Sequence, residues 1–191
     1  MISLRPLLWP NDRGSLLALD TSFTSDRILR LERSGGGFEL KDVSVQPRIE
    51  KRYLLATDID AIPDYDWVEI ADNGDGIAGF AAMTIQAWNR RAVVGHLYVA
   101  PEARGIGVGH GLLTAAIGFA RARQARCAWV ETQTVNYGAV QFYRRAGFTW
   151  CGFDTSLYDP ATVGVDEVAL FFSLDLGETN ASSEAESRPN P

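Results

Sequence analysis

The fold is decided by residues 96–123, which read HLYVAPEARGIGVGHGLLTAAIGFARAR. Residues 97–99 are strand formers, and Pro101 ends that run before the glycines begin. An apolar period typical of a helix follows, at positions 109, 112, 113, 116, 117 and 120. The glycines therefore lie at a helix N-terminus, where unpaired backbone N–H groups and the helix dipole favour a phosphate group. The alternative is a glycine-rich connection that only packs the helix onto a sheet.

The two best-known phosphate loops do not match this stretch. The nucleoside-triphosphate loop requires Lys and then Ser or Thr after its last glycine, whereas Gly109 is followed by His110. The dinucleotide pattern GxGxxG fails from either starting point, because His110 or Leu112 stands where its third glycine is needed. What remains is Arg104-x-x-Gly107-x-Gly109 directly after a strand.

A second group of candidate residues lies at 136–148, which read NYGAVQFYRRAGF. Asn136 follows a predicted strand, Tyr143 lies on a predicted short helix, and the pair Gly147-Phe148 opens the next strand. Taken alone, Tyr143 could belong to the packing face of any short helix, and Gly147 could be an ordinary helix stop.

The two groups together, at this spacing, resemble the GCN5-related N-acetyltransferase (GNAT) family. The resemblance implies an α/β fold with a mixed, mostly antiparallel central sheet flanked by helices, and acetyl coenzyme A as co-substrate without a metal. It implies that Asn136 contacts the pantetheine and that the backbone of Val99 positions the acetyl group. The pyrophosphate would be held by the loop formed by Arg104, Gly105, Ile106, Gly107, Val108 and Gly109.

Six further blocks resemble the streptothricin and nourseothricin acetyltransferases: SFT at 22–24, GGF at 36–38, AWNRR at 87–91, ETQT at 131–134, CGFDTSLYD at 151–159 and EVAL at 167–170. This implies acetyl transfer to an amine of the antibiotic's β-lysine arm. Within the same chemistry, a polyamine, a peptide N-terminus or a protein lysine is the alternative acceptor. A noncatalytic acyl coenzyme A sensor is a third reading, which Tyr143 disfavours because binding alone needs no proton donor.

The catalytic acid and base come from reaction chemistry. A donor near the sulfur eases departure of a thiolate, and a Tyr is protonated at neutral pH, so Tyr143 is the candidate acid. Relatives carry an acidic residue on the strand before the glycine loop, whereas this chain reads Val94, Gly95, His96, Leu97 and Tyr98 there, and Gly95 cannot serve as a base. Glu131 is the preferred base, with His96, Tyr98 or water as alternatives, and Glu131 could instead only bind the ammonium.

The charge distribution points to a cationic substrate. The formal charge is −6, and Lys and Arg are absent from 53–89 and from 146–187. A solvated acidic face and turn-forming Asp residues are the alternative explanation, which suits the turn at 72–76. We expect Asp66, Glu69 and Asp154 to bind ammonium groups of the substrate. Trp88 and Tyr158 would form apolar or cation–π walls, and Asn89 would make a hydrogen bond.

Length and composition predict one domain over 1–176 and a polar, disordered tail over 177–191. The negative charge argues against a nucleic-acid partner, and no apolar run is long enough to span a membrane, so a cytoplasmic protein is expected. The two cysteines have no metal-like spacing. The sequence leaves a homodimer open.

The same patterns predict the remaining elements. A hairpin is expected over 27–46, with a helix over 26–33 as the alternative. A helix over 12–20 would be capped by Asn11 or Asp12, and a short helix is predicted over 139–145. Strands are predicted at 2–5, 67–71, 77–86, 92–99, 128–133, 148–153 and 168–175.

Overall fold

The computed structural model describes residues 2–164 and 167–177 of the chain. The strands are β1 (Ser3–Pro6), β2 (Phe23–Ser34), β3 (Gly37–Lys51), β4 (Trp67–Asp72), β5 (Ile77–Gln86), β6 (Arg91–Val99), β7 (Cys127–Gln133), β8 (Thr149–Asp154) and β9 (Ala169–Asp175). The α-helices are α1 (Arg13–Ala18), α2 (Val108–Ala122) and α3 (Tyr137–Arg145). Short 3₁₀ turns lie at Leu55–Thr57, Ile59–Asp64, Ala87–Asn89 and Pro101–Ala103.

Seven strands form one sheet in the order β1-β4-β5-β6-β7-β9-β8. Neighbouring strands are antiparallel except for β6 and β7, which are parallel and are joined through α2. The predicted α/β class and the mixed, mostly antiparallel sheet flanked by helices are confirmed.

Helix α2 begins within the glycine-rich stretch. Gly107 is its N-cap residue at φ +97°, a left-handed backbone that favours glycine. The apolar period buries Leu112, Leu113, Ala116 and Ala120 against the sheet. On the other face of the sheet, Leu16 of α1 and Ile59 and Ile62 of a 3₁₀ turn pack with Ile70 of β4 and Phe80 of β5.

The sequence correctly predicted the hairpin but underestimated its length. Strands β2 and β3 form a separate two-stranded sheet from Phe23 to Lys51, with an irregular register between Ser25 and Arg27. The alternative helix over 26–33 is wrong, because buried Leu29 donates its backbone N–H to the Thr134 carbonyl beyond β7. That bond holds the extended hairpin beside the end of β7.

The predicted side-chain cap of α1 is also wrong. Asp12 is the N-cap residue, but its carboxylate makes no capping bond. It accepts the Leu8 N–H at 2.7 Å and two bonds from the Arg5 guanidinium at 2.8 and 2.9 Å. Asp12 therefore ties β1 to the start of α1.

The predicted tail lies outside the described residues except for Gly177. Within the described ranges, no helix is both long enough and apolar enough to cross a membrane.

Candidate active site

The site forms where two parallel strands separate. Strand β6 pairs with β7 only from Arg91 to Val94, opposite Cys127 to Val130. On its other side, β6 has a bulge at Gly95, because Ala82 pairs with His96 while Met83 pairs with Val94. Beyond the bulge, a cleft of about 640 Å³ lies between β6, β7, the glycine loop and α3.

One end of the cleft is the N-terminus of α2. The first bond within the helix runs from the Gly111 N–H to the Gly107 carbonyl at 2.9 Å. The N–H groups of Val108, Gly109 and His110 therefore have no partner inside the helix, and no side chain caps them. A side chain on Gly107 would point into open space, so the loop is accessible to a phosphate.

The predicted loop residues do not all face the cleft. Arg104, Gly105, Gly107 and Gly109 line it. The side chain of Ile106 is 70% exposed, and Val108 is buried in the core beneath the loop. Their predicted role is thus confined to the backbone.

Arg104 braces the loop. Its Nε donates to the Val99 carbonyl at 2.9 Å, and its Nη2 donates to the Ser22 carbonyl at 2.6 Å. The guanidinium thus joins the end of β6 to the start of the hairpin. Because the Val99 carbonyl already accepts this bond, the predicted acetyl-positioning role of Val99 would fall to another lone pair or to its N–H group.

Asn136 is the N-cap of α3 and also faces the cleft. Its Oδ1 accepts the Ala139 N–H at 3.1 Å, and its Nδ2 lies 3.4 Å from the Tyr53 hydroxyl. This capping bond fixes the side chain, so the amide is held in one orientation beside the cleft.

Tyr143 lies on the buried face of α3 and lines the cleft with its side chain. Its ring packs against Phe142 and Phe148 at centroid distances of 5.3 and 5.6 Å. Burial raises the pKa of the Tyr143 hydroxyl, and the negative charge of Glu131 raises this pKa further. The hydroxyl therefore holds its proton at neutral pH.

Glu131 lies on β7 at the other side of the cleft. Its Oε1 accepts a hydrogen bond from the Tyr158 hydroxyl. Burial raises the pKa of the Glu131 carboxyl, while Tyr158 and Lys51 lower it. Two residues further along β7, Gln133 accepts a hydrogen bond from the Tyr53 hydroxyl.

The two alternative bases differ in position. Tyr98 lines the cleft, and burial raises the pKa of its hydroxyl. His96 is not among the lining residues, since its imidazole packs against Tyr65, Phe80 and Tyr98. Burial lowers the pKa of His96, and its Nδ1 has no hydrogen-bond partner in the described part of the chain. A neutral imidazole behind the cleft wall is what this packing favours.

Tyr65 leaves no room for a side chain at position 95. A Cβ on Gly95 would overlap with the Tyr65 ring, whose Cζ would lie only 2.8 Å away. Gly95 is therefore the residue that lets Tyr65 pack onto the bulge. Because Tyr65 is thirty positions away in sequence and follows a 3₁₀ turn, no sequence period points to this contact.

The predicted substrate residues are not brought together. Asp66 accepts the Ile85 N–H at 2.7 Å, and Trp88 is 86% exposed. The Asn89 side chain is bonded to Gln86 and to the Arg91 N–H, while Asp154 accepts bonds from Ser156 in a local turn. None of these lines the cleft. Of the predicted set, only Tyr158 reaches it, through Glu131.

Glu69 does not line the cleft either. Along β4, Trp67, Glu69 and Ala71 lie on the same face, and the Trp67 ring stacks on that of Phe119 of α2 at a centroid distance of 6.0 Å. Glu69 therefore lies on the face of the sheet that α2 covers, and burial raises the pKa of its carboxyl.

Several lining residues escaped the sequence analysis. They are Thr21, Phe23, Thr24, Tyr53, Gln133, Phe142 and Arg145. A signal existed for one of them, because a strand over 128–133 puts Gln133 on the same face as Glu131. The hairpin residues gave no such signal.

The described residues contain no group of three His, Cys, Asp or Glu side chains placed to hold a metal ion.

Comparison with known proteins agrees with this geometry. The model of the acetyltransferase (GNAT) family matches residues 37–148. The chain is 36% identical to a streptothricin acetyltransferase of Streptomyces lavendulae, over 86% of this chain and 90% of the relative.

Two solved structures are similar over nearly the whole fold. A crystal structure of nourseothricin acetyltransferase has a TM-score of 0.81 and 40% identity, over 92% of this chain and 99% of that one. A Bacillus anthracis protein assigned as a streptothricin acetyltransferase, in complex with acetyl coenzyme A, has a TM-score of 0.77 and 28% identity, with the same coverage. The chain thus belongs to the acetyltransferase (GNAT) family.

Proposed function

We propose that this protein uses acetyl coenzyme A to acetylate an amine of streptothricin-type antibiotics on their β-lysine arm, which removes a positive charge and inactivates the drug. The observation that carries the proposal is the similarity to streptothricin and nourseothricin acetyltransferases over about nine-tenths of each chain. At this coverage, the similarity extends well beyond the glycine loop at 104–109.

The cleft suits coenzyme A at the α2 end. The three unpaired N–H groups at Val108, Gly109 and His110 can donate to a pyrophosphate, and the open loop lets phosphate approach the backbone. Arg145 lines the same cleft and adds a cation. Asn136 and the end of β6 would flank the pantetheine. When bound, acetyl coenzyme A supplies the acetyl group as an activated thioester.

The side chains divide the proton transfers between the two walls. An alkylammonium must lose a proton before its nitrogen can attack, and the Glu131 carboxylate on β7 is placed to accept it, directly or through water. On α3, the Tyr143 hydroxyl keeps its proton at neutral pH and can donate it to the leaving thiolate. Tyr158 holds the Glu131 carboxylate in position.

The end of the cleft that Tyr53, Tyr98 and Glu131 line, called the acceptor end below, favours cations. Glu131 lines this end together with Tyr53, and Glu167 is bonded to Lys51, whose Nζ lies 5.6 Å from the centre of the Tyr53 ring. Burial raises the pKa of Tyr53 to about 12. Neutral hydroxyls from Tyr53 and Tyr98 complete the wall. Hydroxyl and carboxylate oxygens of this kind accept hydrogen bonds from ammonium groups.

The experiment is a thiol-release assay with acetyl coenzyme A and three acceptors in parallel: a streptothricin, spermidine and a lysine peptide. We expect the highest kcat/KM for streptothricin and a mass increase of one acetyl group on the antibiotic. A higher kcat/KM for spermidine or for the peptide would identify that acceptor, rather than the antibiotic, as the substrate. If the protein binds acetyl coenzyme A but releases no thiol with any of the three amines, the proposal that it is an enzyme is wrong.

A further inference from the structure

Beside the acceptor end of the cleft lies an ion pair that the proton transfers do not use. Lys51 ends β3, and its Nζ donates to the carboxylate of Glu167, which precedes β9. The two side chains are 23% and 6% exposed, so the Glu167 carboxylate is almost fully buried. The residues are 116 positions apart, so only the fold brings them together.

This pair adjoins the groups that would meet the acceptor. Lys51 Nζ lies 5.6 Å from the centre of the Tyr53 ring, and Tyr53 lines the cleft. The Lys51 charge lowers the pKa of Glu131, and the Glu167 charge raises it. Lys51 and Glu167 thus lie directly behind Tyr53, at the end of the cleft that Glu131 lines.

The chemistry of Lys51 is that of the ligand. Its Nζ is a primary alkylammonium, the same group that an amine acceptor carries. A carboxylate as buried as Glu167 requires a cationic partner, because an unpaired buried charge is strongly unfavourable. Any ammonium that reaches Glu167 could replace Lys51 without leaving the carboxylate unpaired.

We propose that Glu167 is a second ammonium subsite, filled by Lys51 in the free protein, and that an acceptor with two amines binds by displacing Lys51 from Glu167. Its other amine then lies at Glu131. A monoamine reaches only Glu131 and leaves Lys51 in place, so Lys51 and Glu167 make the cleft selective for diamines. The proposal rests on the proposed function only in taking the ligand to be an amine.

The test compares the binding of hexamethylenediamine and hexylamine by isothermal titration calorimetry, in wild type and in three variants. Lys51→Gln removes the competing ammonium, Lys51→Gln/Glu167→Gln removes both charges, and Lys41→Gln is the matched control. Lys41 is the other lysine of the chain and pairs with Glu32 at 2.6 Å on the exposed hairpin.

We expect wild type to bind the diamine more tightly than the monoamine. Lys51→Gln should tighten diamine binding by roughly tenfold, because the second amine of the ligand then no longer competes with Lys51 for the Glu167 carboxylate. Monoamine binding should tighten by less. The double variant should lose the preference for the diamine, and Lys41→Gln should behave as wild type. Unchanged diamine affinity in folded Lys51→Gln would reduce the ion pair to a structural contact.

The double variant guards against a Lys51→Gln protein that fails to fold, because it leaves no buried carboxylate unpaired. If its ratio of diamine to monoamine affinity equals that of wild type, the subsite is overturned. Since binding is measured without acetyl transfer, a protein that prefers diamines but releases no thiol with streptothricin contradicts the proposed function alone.

A second readout uses the pH profile of turnover. The titratable groups around Glu131 are Lys51, Glu167, Tyr53, Tyr98, Tyr143 and Tyr158. In Lys51→Gln, the acidic limb should move to higher pH because a cation that lowers the pKa of Glu131 is gone. An acidic limb at the wild-type pH would show that Lys51 does not face Glu131.

Discussion

Tyr143 offers the sharpest test of chemistry at a single residue. Removing its hydroxyl leaves the ring packed between Phe142 and Phe148 but takes away the proton for the thiolate. We expect Tyr143→Phe to lower kcat by roughly 10²-fold while the KM for acetyl coenzyme A stays nearly constant. Tyr137→Phe, on the same helix but bonded to Asp42 outside the cleft, is the control. Full turnover in Tyr143→Phe would assign the hydroxyl a structural role.

Glu131 is tested by pH. Burial raises the pKa of its carboxyl above the ordinary value, and the base must be ionised to accept a proton. Activity should therefore be lost as pH falls through this raised pKa, which places the acidic limb of kcat above the usual range for Glu. We expect Glu131→Gln to abolish this limb, with Glu39→Gln on the hairpin as the control. If Glu131 only binds the ammonium, KM rises and the limb of kcat remains.

Locating residues from sequence succeeded where the motif lay on a readable strand or helix, and the catalytic roles of those residues stay predictions. Asn136, Tyr143 and Glu131 follow strands or occupy helices whose periods were readable, and all three line the cleft. It did not work for Glu69, because the absence of lysine and arginine nearby says nothing about which face of β4 the carboxylate occupies. Nor could it find Tyr65 or Glu167, since their partners are brought to them only by the folded chain.

At the scale of elements, the N-terminus of α2 is the part whose loss should affect only the cofactor. Gly107 and Gly74 have similar left-handed backbones, at φ +97° and +92°, and both face open space. Asp at either position should cost about 1 kcal/mol in backbone strain. Only Gly107→Asp should also raise the KM for acetyl coenzyme A, because its carboxylate would repel the phosphates. Equal KM values in Gly107→Asp and Gly74→Asp would remove the loop from the site.

The hairpin shows why element boundaries were harder to read than element types. Its apolar residues alternate only in part, since the register shift between Ser25 and Arg27 interrupts the period of two. The outer ends of both strands therefore read as irregular chain. Those ends nonetheless carry Phe23 into the cleft and place Lys51 on Glu167. The sequence thus located the core of the hairpin and missed the part that adjoins the site.

For the whole molecule, the net charge predicts a preference for cationic substrates but does not predict where they bind. The stretches without Lys or Arg are real, yet the carboxylates of Asp66 and Asp154 already accept hydrogen bonds from the backbone N–H groups of Ile85 and Ser156. The carboxylate that lines the cleft is instead Glu131, and Glu167 lies beside it through its ion pair with Lys51; they belong to the resemblance blocks at 131–134 and 167–170. A long-range field can still attract a cation that these two residues then hold.

Ionic strength tests this long-range attraction. A chain of formal charge −6 should speed the capture of a polycation, and salt should weaken that capture as the Debye length falls from about 30 to 8 Å. We expect kcat/KM for streptothricin to fall by roughly tenfold over this range, since steering changes association rates by about 10–10³-fold. A neutral aryl amine is the control acceptor, and its kcat/KM should stay level. The KM for acetyl coenzyme A should not rise in parallel, because an anion is not attracted by the same field. If kcat/KM for streptothricin ignores salt, contacts inside the cleft alone account for its recognition, and the surface charge of the molecule has no part in it.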